Sequence, residues 1–148
     1  MLRALPVLFA TVLCAPLAAH AQPGVHGQAP APPAQENGLI AIVQRQMDAY
    51  NAHDAQAYTA CFTPDAQFIR HPGITALSGH DEIYRNFAKF FRDHKDAKIR
   101  VLYRAQLGPT TVIEHQVTDG ADKTPLVGLV IYKIQNGLIA AAWIVPAE

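Results

Sequence analysis

The sequence predicts an α+β domain in which three helices precede an antiparallel sheet. Three observations carry this. Apolar residues recur at three-to-four spacing through most of the stretch from Leu39 to Phe91, and alternate from Ile99 onward. The later segments are parted by short turn-forming pairs, Gly108-Pro109, Asp119-Gly120 and Asn136-Gly137. Half of the residues are hydrophobic and 16% are charged, which suits a packed core and not a disordered chain.

The N-terminus comes first. Met1 to Ala21 has the three parts of a secretory signal: Arg3 as the positive end, an apolar run from Leu5 to Leu17, and Ala19-His20-Ala21 before an expected cleavage at Gln22. The run is too short to span ~30 Å of hydrocarbon comfortably. Leu13 stands where a lipoprotein signal would need a small residue before Cys14. The chain is therefore expected to be exported, periplasmic or secreted, with no stable membrane insertion. Residues 22–37 are rich in Gln, Pro, Gly and Ala and read as a disordered spacer. The folded domain is expected over 38–148, roughly 110 residues, enough for an independent core without metal or disulfide.

Leu39 to Tyr50 carries Leu39, Val43, Met47 (or Gln46) and Tyr50 on one helical stripe. Asn51-Ala52-His53-Asp54 breaks it, and Asp54 can cap a short second helix holding Ala57, Tyr58, Cys61 and Phe62. Thr63-Pro64-Asp65 should end that helix, because a residue before proline avoids helical geometry. Ala66 to His71 alternates as a strand, with Phe68 and Arg70 on one face and Gln67, Ile69 and His71 on the other. Ser78-Gly79-His80-Asp81 fits a capping box that opens a third helix with Ile83, Phe87, Phe90 and Phe91 inside. Four strands follow. In the first, Ile99, Val101, Tyr103 and Ala105 alternate with Lys98, Arg100 and Arg104; the others cover Thr111 to Thr118, Leu126 to Ile134 and Leu138 to Val145. Asn136-Gly137 is the strongest hairpin marker in the chain.

Charge excludes some functions. Lys+Arg and Asp+Glu balance at 12 each, so the basic excess of a nucleic-acid binder is missing. The scattered histidines form no His-x-His or HExxH pattern, and Ser78 lies in no glycine-flanked elbow. No metal and no cofactor is expected.

Tyr50-Asn51-Ala52-His53-Asp54, Phe62-Thr63-Pro64-Asp65-Ala66-Gln67-Phe68, Ser78-Gly79-His80-Asp81-Glu82-Ile83 and Tyr132-Lys133-Ile134-Gln135-Asn136-Gly137-Leu138-Ile139, in this order, resemble the nuclear transport factor 2-like superfamily, particularly its SnoaL-like and steroid-isomerase-like branches. The resemblance covers essentially all of the chain after Leu39. It implies a cone-shaped, curved antiparallel sheet wrapped around three N-terminal-half helices, with an apolar pocket between them. It specifies no reaction, because members isomerise, cyclise, dehydrate, hydrolyse epoxides or only bind. Steroid isomerases of this fold use a carboxylate before a proline, a second carboxylate on the penultimate strand, and a tyrosine on the first helix. Here His71, Leu129 and Gln46 stand near those positions, so the steroid-isomerase reaction itself is not expected.

His71 is the first catalytic candidate, since an imidazole exchanges protons near neutrality and sits where the resemblance places the acid/base group. Its alternative role is to cap the strand end at Pro72. His115 shares a face with Ile113 and Val117 and is either a ligand contact or a hydrogen-bonded core histidine. Tyr50, Tyr58, Phe68, Tyr103 and Trp143 are candidate pocket-lining residues, with packing as the plainer explanation.

The expected function is an exported pocket protein for a small apolar molecule, with proton-transfer chemistry of isomerase, lyase or cyclase type. The alternative is a non-catalytic ligand-binding or accessory domain. A homodimer is expected as well, because Leu126, Val130 and Tyr132 lie on one side of their strand and Val127, Leu129 and Ile131 on the other. Helices can cover only one of those faces.

Overall fold

The first helix, α1 (Gly38–Asn51), buries Ile42, Val43, Gln46, Ala49 and Tyr50. Its apolar stripe is thus rotated toward Gln46, and Met47 is half-buried beside it. The structure, a computed structural model, describes residues 38–121 and 124–147. The expected signal segment and spacer lie outside these residues.

The break after α1 is a joint. Asn51 pairs with Ile99 like a strand residue, accepting from its N–H at 2.7 Å and donating to its carbonyl at 3.0 Å. His53, at positive φ, bonds the Ala97 carbonyl through Nε2 at 2.7 Å. Two polar side chains thereby fasten the end of α1 to the start of the later sheet. Asp54 then caps α2 (Ala55–Thr59), its Oδ1 accepting from the Ala57 N–H at 2.9 Å.

That helix is shorter than its composition suggests. Cys61 and Phe62 are not helical: Phe62 opens β1 (Phe62–Arg70), and Thr63-Pro64-Asp65 lies within the strand at a register irregularity. Sheet pairing overrides local propensity here. After Pro72-Gly73 the chain makes a strand that the sequence reading missed, β2 (Ile74–Ser78), antiparallel to β1. Ser78 ends that strand, so it does not cap α3 (His80–Asp93); Gly79 occupies the cap position. The acid reaching back is Glu82, which accepts from the Ser78 N–H at 2.7 Å.

β3 (Lys98–Leu107), β4 (Thr111–Asp119), β5 (Leu126–Gln135) and β6 (Leu138–Pro146) follow as expected. Asn136 and Gly137 both have positive φ, as a tight hairpin turn between twisted strands requires. The sheet order is β2-β1-β6-β5-β4-β3. Its neighbours are antiparallel except β1 and β6, which run parallel, so the sheet is mixed. The fold class stands as predicted, an α+β domain with its three helices in the N-terminal half.

The core fills the space between the helices and one face of the sheet. Tyr50, Tyr58, Phe62, Phe68, Phe87, Phe90 and Phe91 pack ring against ring there, with Tyr58 and Phe87 centroids 4.2 Å apart. Each such ring fully buried contributes about 1.5–3 kcal/mol.

β3 contains the irregularity that matters most for the site. Its register with β4 shifts between Val101 and Tyr103. Before the shift Ile99 and Val101 pair with Thr118 and Gln116, on the helix-covered face; after it Tyr103 and Ala105 pair with His115 and Ile113, on the outer face. A one-residue bulge exchanges the two faces of everything beyond it. Arg104 is thereby turned inward.

Candidate functional site

Strand alternation sends Val112 and Glu114 of β4 inward, and both are 0% exposed. A carboxylate in that position needs partners, and β3 supplies one. Arg104 lies directly across from Glu114 and donates from Nε to Oε1 at 2.5 Å. Its Nη1 donates to Gln44 Oε1 of α1 at 2.7 Å. Gln44 in turn donates from Nε2 to Asp48 Oδ1 at 2.7 Å, one helical turn on. A polar chain therefore runs from the exposed Asp48 through Gln44 and Arg104 to the buried Glu114.

The other side of Glu114 is incompletely satisfied. Its Oε2 is buried and has no hydrogen-bond partner, and the same holds for Gln116 Oε1, the next inward residue of β4. Tyr132 of β5 donates to Gln46 Oε1 at 3.5 Å, a long contact that holds the hydroxyl weakly. Glu114 and Gln116 both lie near enough to that hydroxyl to affect its ionisation. Burial pushes the Glu114 carboxyl above the ordinary carboxylate range, and the Arg104 guanidinium opposes the shift without cancelling it. Burial likewise drives the Tyr58 and Tyr132 hydroxyls well above their usual value. Both remain neutral donors across the physiological range.

The residues singled out from sequence distribute differently. Tyr50, Tyr58 and Phe68 are on the helix-covered side, where they are members of the aromatic core. Tyr103, His115 and Trp143 occupy the outer face and line nothing in common with them. For Tyr103 the cause is the bulge in β3; for His115 and Trp143 it is alternation against inward Glu114 and Ala142. His71 is exposed on the turn after β1, its backbone N–H bonded to the Ile144 carbonyl at 2.9 Å. Its neighbour Arg70 pairs with Ile144, which pairs with Val130, which pairs with Glu114. Three strand spacings, about 14 Å, thus separate the His71 end of β1 from the buried carboxylate. The structure brings His71 neither to Glu114 nor to His115.

Sequence reasoning missed Glu114, Arg104, Gln44, Gln116 and Tyr132. Among the described residues no three His, Cys, Asp or Glu side chains group as a metal site, and no helix is long and apolar enough to cross a membrane.

A six-stranded mixed sheet with three helices in the N-terminal half is the architecture of the nuclear transport factor 2-like class. Within it, residues 43–142 match the model of the SnoaL-like domain, and the chain belongs to that family. Solved structures agree. An uncharacterised cystatin-fold protein from Novosphingobium aromaticivorans is 19% identical, with a TM-score of 0.66 over 73% of this chain and 97% of the other. A SnoaL-like protein of unknown function from Burkholderia thailandensis is 15% identical, with a TM-score of 0.64 over 78% of this chain and 100% of the other. A polyketide cyclase candidate from Sinorhizobium meliloti is 21% identical, with a TM-score of 0.60 over 70% of this chain and 93% of the other. At these identities the likeness establishes the fold. No protein of curated function matches the sequence.

Proposed function

We propose that this is an exported SnoaL-like protein that binds a small apolar molecule against the helix-covered face of its sheet and moves a proton on it. The reaction would be of isomerase, lyase or cyclase type, with Glu114 in the acid/base role first considered for His71. The observation that carries the proposal is Glu114 Oε2, a fully buried carboxylate oxygen without a partner. Buried polar atoms are nearly always satisfied, and an orphan beside a weakly held tyrosine hydroxyl is a place where a ligand proton can be taken or given. The surrounding side chains are aromatic and aliphatic, which suits an apolar substrate. The fold shared with a cyclase candidate supports the reaction class.

The Arg104 contact favours a second reading, in which the site binds without turnover. A carboxylate neutralised by a guanidinium is a weaker base and would serve as an anchor. Export rests on the n-region, apolar run and Ala-His-Ala site of residues 1–21. Intact mass of protein from the exported fraction checks it, and a species retaining Met1 to Ala21 refutes it. A second copy of the chain on the outer sheet face completes the proposal.

Fluorescence titration with 2-naphthol, an apolar probe with one exchangeable proton, tests the site. Glu114→Gln keeps the side chain's size but cannot exchange a proton near neutrality, and affinity is expected to fall about tenfold or more. Gln116→Leu leaves the ion pair intact and guards against a folding artefact. Unchanged titrations in both folded variants would retire the site.

A further inference from the structure

Arg104 meets Glu114 with one bond where its guanidinium could make two. Nε donates to Oε1 at 2.5 Å, and Glu114 Oε2 is left without a partner. The side-on fork of an arginine would add Nη2 to that second oxygen, which is the stronger arrangement. Here Nη2 meets the Met47 Sδ at 4.0 Å instead, and a thioether accepts only weakly. A guanidinium only 17% exposed, with donors this poorly used, should close onto the unpaired oxygen of the same carboxylate. Something holds it open.

The holding contact comes from α1, where Gln44, Met47 and Asp48 share one side of the helix within a single turn. Gln44 accepts from Arg104 Nη1 at 2.7 Å through Oε1, and donates to Asp48 Oδ1 at 2.7 Å through Nε2. Its amide lies between a cation and an anion, with the acceptor end toward the one and the donor end toward the other. The reverse orientation would set N–H against N–H and oxygen against carboxylate, so both neighbours fix the same one. The other titratable groups near Glu114 are Tyr132 of β5 and, behind it, Tyr58 of α2, and both are neutral. Neither competes for the guanidinium.

We infer that Gln44 is a positioning residue: fastened by Asp48, it holds Arg104 to a single bond and keeps the second oxygen of Glu114 open to a ligand. This rests on the acid/base reading of Glu114 and says what separates it from the anchor reading. With the fork closed, both oxygens of Glu114 are spent on the guanidinium, and the carboxylate can only anchor. With Nη1 drawn toward α1, Oε2 remains to accept a ligand's hydrogen bond or its proton. The bulge in β3 serves the same end, because it turns Arg104 inward beneath α1.

Gln44→Met in the full chain tests this, because it keeps length and helix propensity and removes the acceptor. Gln44→Leu repeats the test should that variant misfold, as judged by circular dichroism. Two quantities are measured. One is the ionisation midpoint of Glu114, followed by the infrared band of its protonated carboxyl, which Glu114→Gln identifies by its loss. The other is the affinity for 2-naphthol. Closure of the fork should move the midpoint to lower pH, since a second hydrogen bond to the charged form favours it. It should also weaken 2-naphthol binding by about tenfold or more. Gln44→Glu restores an acceptor for Nη1 and should show neither fall. A merely structural glutamine predicts a lower melting temperature in both variants with the midpoint unmoved. An unmoved or raised midpoint in Gln44→Met, or the same fall in Gln44→Glu, overturns the inference. A wild type that binds no 2-naphthol overturns the acid/base reading instead, and a lowered midpoint in Gln44→Met then still assigns the hold on Arg104 to Gln44.

Discussion

Glu114 and His115 are adjacent in β4, and one peptide bond separates two environments. Glu114 is wholly buried under α1, held by Arg104 and facing Tyr132. His115 lies half-exposed on the opposite face, between Tyr103 and Leu129. The inner face takes polar residues only as a connected cluster, because an isolated charge there would cost several kcal/mol of desolvation. The outer face tolerates a lone imidazole because water reaches it. Buried titratable groups therefore sit on the inner face, and the outer face keeps its middle apolar.

The comparison is sharpest between two arginines of β3. Arg104 and Arg100 each pair with a carboxylate of β4, but Arg104 and Glu114 side chains are 17% and 0% exposed, against 60% and 42% for Arg100 and Asp119. Arg104→Met should cost about 3–5 kcal/mol, since it strands a buried carboxylate. Arg100→Met should cost no more than about 1 kcal/mol. Urea unfolding measures both, and equal losses would erase the distinction between the faces.

Gly128 belongs to β5 at the edge of a recess in the outer face. A Cβ there would approach the Val145 carbonyl oxygen to 2.6 Å and the Pro146 Cα to 3.2 Å. Backbone atoms cannot swing aside as a side chain can, so Gly128→Ala should destabilise by about 1–3 kcal/mol. A wild-type melting curve would mean that the β5–β6 ends are looser than the structure has them.

Glu114 also separates the faces by pH. Its folded pKa is raised above the ordinary carboxylate value, so between those two values the native state holds more protons than the unfolded chain. Stability from this group therefore grows as pH falls through the folded pKa and levels off below the unfolded one. Melting of wild type against Glu114→Gln at pH 7 and near pH 5 isolates it, and the difference should shift in favour of the wild type on acidification. A shift the other way would mean that Arg104 outweighs burial.

Much of this fold was legible because periodicity is local. The helices, the capping aspartate Asp54 and the Asn136-Gly137 hairpin all follow from residues close in sequence. β2 escaped notice because five mostly exposed residues, squeezed between Pro72-Gly73 and α3, carry no burial pattern. The parallel pairing of β1 with β6 is a tertiary choice with no local marker. The site was harder still. Arg104 and Tyr103 were each assigned to the wrong face because the bulge after Val101 is invisible to an alternation count. Alternation alone sends Glu114 to the face opposite His115, yet a carboxylate on a strand reads as solvent-facing until Arg104, Gln44 and Tyr132 arrive from three other elements. A usable marker was present: two inward glutamines on α1 and β4, Gln46 and Gln116, at positions where apolar side chains would be ordinary.

The smallest expected effect is at His115 itself. Its ring is bordered by Tyr103 and Leu129 across the strands and by Ile113 and Val117 along its own. Nothing charged stands in its row, and its half-exposed position lets solvent satisfy its ring nitrogens. His115→Gln keeps a polar group of similar length there. Unfolding stability should change by no more than about 1 kcal/mol, as for substitutions outside a packed core. The titration of 2-naphthol should also be unchanged, because the sheet lies between His115 and Glu114's carboxyl. A stability loss above about 2 kcal/mol would mark His115 as a core histidine after all. A loss of probe binding would mean that ligand reaches the outer recess, and the division of labour between the two faces would fall.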